Sequence, residues 1–260
     1  MITILTPVFN RAHTLRRLFK SLETQTDSNF EWLVVDDGST DDTPNLLLEF
    51  VRSGSVRMHS VRQQNSGKHA AINIGVREAR SEWIFIVDSD DALTPDAVWA
   101  ASQAVKAEEG YTGFCFRKAF FNGGILGCSN LGSESRSLHP TAAGRIFRGD
   151  LAYVFRRETM LRHPFPVIPG ETFVPELYIW NRIGDEGDIL FFPDKVIYLC
   201  EYLPDGYTAN FSSNLHRNPQ GFLLFYATQF HRERLWLDKA KCLVRCLQCL
   251  FGLILEGRGR

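Results

Sequence analysis

Short, unbroken apolar runs alternate with stretches of helical periodicity over the first hundred residues. Ile2-Thr3-Ile4-Leu5-Thr6 reads as a strand, as do the wholly apolar runs Trp32-Leu33-Val34-Val35 and Trp83-Ile84-Phe85-Ile86-Val87, the last of them covered on both faces. Between the first two, Leu15, Leu18, Phe19 and Leu22 recur at helical spacing, with Arg16, Arg17 and Lys20 on the other face. Thr43 followed by Pro44 reads as the N-cap and first turn of a helix through Leu46, Leu47 and Phe50. A shorter strand is predicted over residues 56–61. Gln64-Asn65-Ser66-Gly67-Lys68 then forms a loop opening a helix that carries Ala70, Ala71, Ile74 and Val76, with His69 as an exposed helix residue. The third apolar run is followed by a helix through Ala97, Val98 and Ala101. Strands and helices in alternation predict an α/β fold with a mostly parallel sheet covered by helices.

From Tyr111 the pattern changes. Phe114-Cys115-Phe116 and Phe120-Phe121 read as two strand segments, with a tight turn at Asn122-Gly123-Gly124. Residues 129–148 are rich in glycine, serine and basic side chains and are expected to form a loop or lid over a cleft. A proline-punctuated stretch (164–175) precedes a short amphipathic helix over 177–183 and a strand over 196–202. The tail is helical from Pro219 onward. Leu235, Leu243, Leu247, Leu250, Phe251 and Ile254 alternate there with Arg232, Arg234, Lys239, Lys241 and Arg245, a pattern suited to an anionic membrane surface or to packing on its own domain. The organisation expected is a first half over 1–110, a second half with a lid over 111–215, and a helical tail over 216–260.

Composition narrows the picture. The chain of 260 residues is long enough to bury a substantial core, and its net charge of −1 gives no global attraction to nucleic acid. The six cysteines lie without a paired framework, which fits a reducing cytosol, and Cys242, Cys246 and Cys249 share one helix face in a way that suits packing rather than zinc. No leader segment and no run of membrane-spanning length is expected.

The chemistry gathers at strand ends. Asp88-Ser89-Asp90-Asp91 follows a buried strand, where open α/β sheets place their ligands, and three neighbouring carboxylates repel one another unless a cation joins them. An all-oxygen set suits Mg²⁺ or Mn²⁺; the alternative is a cap for the helix announced by Thr94-Pro95. Asp36-Asp37-Gly38-Ser39 ends the second strand, either accepting from a base or ribose or forming an Asx turn. Neither a G-x-G-x-x-G nor a G-x-x-x-x-G-K-[ST] pattern is present, which argues against a dinucleotide site and a P-loop.

In this order and spacing, Thr6-Pro7-Val8-Phe9-Asn10, Asp36-Asp37-Gly38-Ser39-Thr40-Asp41, Asn65-Ser66-Gly67-Lys68 with Asn73-Ile74-Gly75, and Asp88-Ser89-Asp90-Asp91 resemble the family 2 glycosyltransferases with the GT-A fold. The resemblance covers residues 1–105 closely and extends more loosely to 185. It implies a GT-A (Rossmann-like) fold and an inverting transfer from a UDP-sugar to a saccharide or lipid-pyrophosphate-linked acceptor, in the synthesis of a cell-surface polysaccharide. By the same resemblance, Thr6, Pro7 and Phe9 belong to the nucleotide pocket and Asp37 contacts uracil. Asp88 lies near the ribose or metal, Asp90 on a Mn²⁺ or Mg²⁺ ion, and Lys68 against phosphate. Asp91 is the adjacent candidate for facing the ion or acting in catalysis. Glu176 stands six positions before Arg182, where the family has its catalytic base, with Pro175 in place of the usual acidic neighbour; Glu171 is the reserve. The stretch from Gly206-Tyr207-Thr208 to His216 offers a further metal or phosphate ligand, with His216 the candidate. The expected setting is cytoplasmic, peripheral on the inner face of the membrane through residues 230–255, with no nucleic-acid partner. A sugar nucleotidyltransferase and a catalytically silent sugar-nucleotide-binding subunit are the competing readings. The first would carry a glycine-rich loop after the first strand, which Pro7-Val8-Phe9-Asn10 does not supply.

Overall fold

The computed structural model describes residues 1–107, 110–203 and 210–258, the last four as backbone alone. The alternating first half becomes β1 (Ile2–Val8), α1 (Ala12–Glu23), β2 (Phe30–Asp36), α2 (Thr43–Ser53), β3 (Met58–Arg62), α3 (Lys68–Glu78), β4 (Trp83–Ile86), β5 (Ala92–Leu93) and α4 (Ala97–Ala107). The second half contributes β6 (Gly113–Phe120), β7 (Arg136–Leu138), α5 (Pro140–Phe147), β8 (Leu151–Arg156), α6 (Arg157–Arg162), α7 (Leu177–Glu186) and β9 (Ile189–Cys200). Three helices follow: α8 (Phe211–Arg217), α9 (Pro219–Arg232) and α10 (Trp236–Arg258).

One sheet crosses both halves in the order β3-β2-β1-β4-β8-β6-β9-β5, with β7 on β9. The first four of these strands are mutually parallel; β8 runs antiparallel between β4 and β6, and β6 pairs parallel with β9. Every residue of β1 and β2 is buried, because helices cover both faces. Alternate residues serve opposite layers. Ile4, Trp32 and Phe85 join one core with Leu15, Leu18 and Phe19 of α1, while Leu5, Leu33 and Ile84 join the other with Ala71, Ile72 and Val76 of α3. Phe19 stacks on Phe50 of α2 at 3.9 Å between ring centroids, so the predicted faces of α1 and α2 meet over β2.

Four local expectations differ. Gly113–Phe120 is one strand rather than two, because it pairs with β8 and, through a register shift around Arg117, with β9; beyond the turn an isolated Ala119–Ile125 bridge forms. Residues 129–148 are not a lid loop: they hold β7 and α5, whose Ala143 and Phe147 are buried, and the His139 side chain accepts from Thr141 N–H at the start of α5. Thr43 lies inside α2, and its hydroxyl accepts from the Arg11 N–H at 3.1 Å instead of capping its own helix. His69 is buried, with its Nδ1 donating to the Thr172 carbonyl at 3.2 Å. The helical tail is borne out but broken after Arg232, and residues 206–208 lie outside the described residues.

Candidate active site

Parallel register brings three loops to one rim. Val8 sits opposite Asp36 and Leu5 opposite Ile86, so the ends of β1, β2 and β4 open on the same side. The two aspartates after β2 do different work. Asp36 Oδ1 accepts from Ser39 N–H at 2.8 Å and makes the Asx turn. Asp37 instead reaches the 63–67 loop: Oδ1 accepts from Gln63 Nε2 at 2.5 Å and Ser66 N–H at 2.8 Å, and Oδ2 from Gly67 N–H at 2.8 Å. Glycine is required where these loops close. Gly67 has φ of 92°, and a Cβ there would stand 2.0 Å from the Thr172 carbonyl oxygen.

The docked loop aims Lys68 across the cleft. Its Nζ lies 2.6 Å from Asp88 Oδ1 and 2.7 Å from Glu176 Oε1, so one ammonium joins the first half to the second. Burial works against that charge, yet Asp88 and Glu176 together hold the ammonium well above its ordinary range. Burial likewise opposes ionisation of Asp88, but Lys68 and then Lys118 outweigh it and hold the carboxyl below its ordinary value.

Ser89, Asp90 and Asp91 also line this cleft, and here adjacent acids diverge. Asp90 is half-buried, its carboxyl pushed up by burial and by the charge of Asp88. Its backbone carbonyl accepts from Arg17 of α1, which also pairs with Glu201. Asp91 is turned to the floor, where it accepts from the Tyr198 hydroxyl at 2.8 Å; burial, then Asp88, push its carboxyl up to about 7. The same Tyr198 oxygen accepts from Asp88 N–H at 2.9 Å, so one hydroxyl from β9 sets the acidic turn. Neither Asp90 nor Asp91 caps α4; Thr94 instead donates to Asp96 at 2.7 Å just before that helix.

Several expected site residues are placed elsewhere. Thr6 is fully buried, accepting from Trp32 Nε1 at 3.0 Å, and does not reach the cleft. His216 lies on α8 with Nδ1 2.6 Å from the Ser212 carbonyl, lining a separate small hollow beside Arg245. Glu171 is buried, and its two oxygens accept from Gln220 and Gly221 N–H at 2.7 and 2.8 Å, at the N-terminus of α9. Asn218 returns the contact, accepting from Thr172 and Phe173 N–H. The pair staples the segment before Glu176 to the tail. Glu171→Gln is expected to lower stability by about 1–3 kcal/mol, since a charged acceptor at a helix N-terminus is lost; a urea titration reads this.

Pro7, Phe9, Asp37, Lys68, Asp88 and Asp90 do meet, in a cleft of about 950 Å³ that also takes Glu176. Sequence reasoning overlooked Lys118, whose Nζ lies 3.9 Å from the centre of the Tyr198 ring and beside Asp88 and Asp91. The signal was present: Arg117-Lys118 interrupts an otherwise aromatic strand. Arg117 is the structural half of that pair, donating to the carbonyls of Pro193, Leu126 and Cys128. An aromatic wall of the cleft is formed by Trp180, Phe173, Phe211, Phe222, Phe225 and Tyr226.

A family model, Glycosyl transferase family 2, matches residues 3–152. Glycosyltransferase GlyA of Streptococcus pneumoniae is 38% identical over 97 residues, 37% of this chain and 14% of that protein. Chondroitin synthase of Escherichia coli is 38% identical over 98 residues, 38% of this chain and 14% of that one. The chain thus spans a small part of the relatives it matches. Among solved structures, Staphylococcus aureus TarS 1–349 with UDP-GlcNAc superimposes with a TM-score of 0.74 at 17% identity, over 96% of this chain and 71% of that one. The mannosyltransferase PcManGT of Pyrobaculum calidifontis, with GDP-Man and Mn²⁺, gives 0.63 at 18% identity, over 100% and 75%. These likenesses establish the GT-A fold.

Proposed function

The chain belongs to glycosyl transferase family 2, and from that premise we propose that it moves a sugar from a UDP-sugar to a saccharide hydroxyl with inversion. The observation that carries the reading is the Lys68 bridge, which sets a donor-side acid, Asp88, and an acceptor-side acid, Glu176, about one ammonium. The donor half (1–110) holds the nucleotide and the second half (111–215) presents the acceptor. Pro7 and Phe9 offer a flat wall to the base. A carboxylate has about four acceptor sites; three on Asp37 serve the 63–67 loop, which leaves one on Oδ2 for a base N–H.

Asp88 and Asp90 would hold the divalent ion. Their mutual repulsion is the charge conflict that a cation removes, and Mg²⁺ commonly takes one or two carboxylates with water and phosphate oxygens completing the shell. Bound there, the ion would supply stabilisation of the charge growing on the leaving diphosphate. Lys68 has three N–H donors, two of them turned to Asp88 and Glu176, and the third serves phosphate. Glu176 takes the proton from the acceptor hydroxyl as that oxygen forms its bond to the anomeric carbon, while the bond from that carbon to the diphosphate oxygen breaks.

UDP-GlcNAc in the TarS structure supports a uridine donor, and the chondroitin synthase relative supports a polysaccharide product. The aromatic wall suits a saccharide acceptor carried on a lipid pyrophosphate, with flat apolar faces for sugar rings. Six free cysteines fit a cytoplasmic setting. A thermal-shift screen of UDP- and GDP-sugars with and without Mn²⁺ tests the reading. UDP-sugars with Mn²⁺ are expected to stabilise most, by about 2.7 kcal/mol at a hundred times Kd. Larger stabilisation by GDP-sugars, or none by either, would remove it.

A further inference from the structure

We infer that α10 and the turn before it form a docking surface for an anionic membrane, with the helix lying in the plane of the headgroups. One side of α10 is already used: Cys242 and Cys249 are buried, and Cys249 packs with Leu215 and Phe222 beneath it. The other side is bare. Leu243, Val244, Leu247, Leu250, Phe251 and Ile254 form one continuous stripe and are each between 44% and 63% exposed. A contiguous apolar patch of this kind marks an interaction surface on a water-exposed protein.

Two observations choose the occupant. At the start of the helix the exposed residues are not confined to the stripe: Leu235, Trp236 and Leu237 project at successive angles, and Trp236 is 74% exposed. A partner helix lying along one side covers a stripe, whereas a continuous apolar phase accepts a tip exposed all round. An indole also favours the boundary between headgroups and acyl chains. Second, the charges frame the stripe. At 100° per residue, Lys239 and Lys241 flank it on either side, with Arg234 beside the tip, while Asp238 falls about 180° from Leu247. Lysines so placed keep their ammonium groups at anionic headgroups while the stripe is buried.

The surface lies one helix away from the cleft. Phe222, Phe225 and Tyr226, which belong to the aromatic wall of the cleft, stand on α9, the helix that pairs with α10. Docking through α10 would keep the cleft close to a membrane that carries a lipid-linked acceptor, and this last point alone rests on the transfer reading.

The test is co-sedimentation of the full chain with phosphatidylcholine vesicles with and without phosphatidylglycerol, which reads binding without turnover. The full chain is expected to sediment with the anionic vesicles and to be released by salt. Leu247→Asp with Phe251→Asp should lower that binding roughly tenfold or more, since both side chains are exposed and their burial is the apolar part of the affinity. Lys239→Glu with Lys241→Glu should abolish the preference for phosphatidylglycerol. Unchanged melting temperature and UDP-sugar stabilisation show that the variants stay folded with the cleft intact. Equal sedimentation of wild type and the Leu247/Phe251 variant overturns the inference, as does wild type binding neither vesicle. A wild-type dimer in light scattering that this variant splits, without vesicle binding, assigns the face to a second copy and also overturns it.

Discussion

Glu176→Gln is expected to lower turnover by roughly 10²–10⁴-fold, the range carried by a positioned general base. Donor affinity should stay close to wild type, because Lys68, the group offered to the donor phosphate, remains held by Asp88. The fold should tolerate the change: Glu176 is half-buried, and Lys68 keeps its 2.6 Å contact with Asp88. Release of UDP in the presence of acceptor, measured beside equilibrium binding of the UDP-sugar, separates the two effects. A variant retaining most of its turnover would place the proton acceptor elsewhere. Glu171 provides the contrast, since its carboxylate is committed to the N-terminus of α9 and its loss should register in stability.

Asp90→Ala should act with opposite signs on stability and activity. The folded state holds this carboxyl above its ordinary range, through burial and the charge of Asp88. Removing it relieves that opposition, and the Arg17 contact survives because it is made to the backbone carbonyl. The melting temperature without ligands is therefore expected to equal or exceed wild type. Turnover should fall roughly 10²–10³-fold, as when one preorganised stabiliser of a leaving charge is lost. The extra stabilisation that Mn²⁺ confers with UDP should disappear with it. Retention of that Mn²⁺-dependent increment in Asp90→Ala would show that the ion is held by other groups, whereas a catalytically silent binding subunit would have no turnover to lose.

Much of this arrangement was legible before any coordinates. The buried runs at Ile2, Trp32 and Trp83 became β1, β2 and β4, because a strand covered on both faces is mostly apolar, and its buried polar members find partners, as Thr3 does in Glu31. Parallel strands of one sheet end on the same rim, so convergence of their loops followed from order alone. The second half was harder to read. Residues 129–148 look like a loop by composition, yet Ala143 and Phe147 supply enough buried surface to fold α5 against the sheet.

What the chain's sequence determined by itself is the four strands of the parallel start and the loops where chemistry gathers, since these depend on periodicity and neighbours close in sequence. Strands β5, β7 and β8 were not legible in it. Which carboxylate does what was decided only by the tertiary structure. Asp90 and Asp91 are adjacent and chemically identical, but Tyr198, 107 positions further on, takes Asp91 to the floor. Glu171 and Glu176 are five residues apart, and α9 claims the first while Lys68 reaches the second. The reason is physical: a carboxylate's role follows from the donors that surround it, and here those donors arrive from elements that the fold alone brings near.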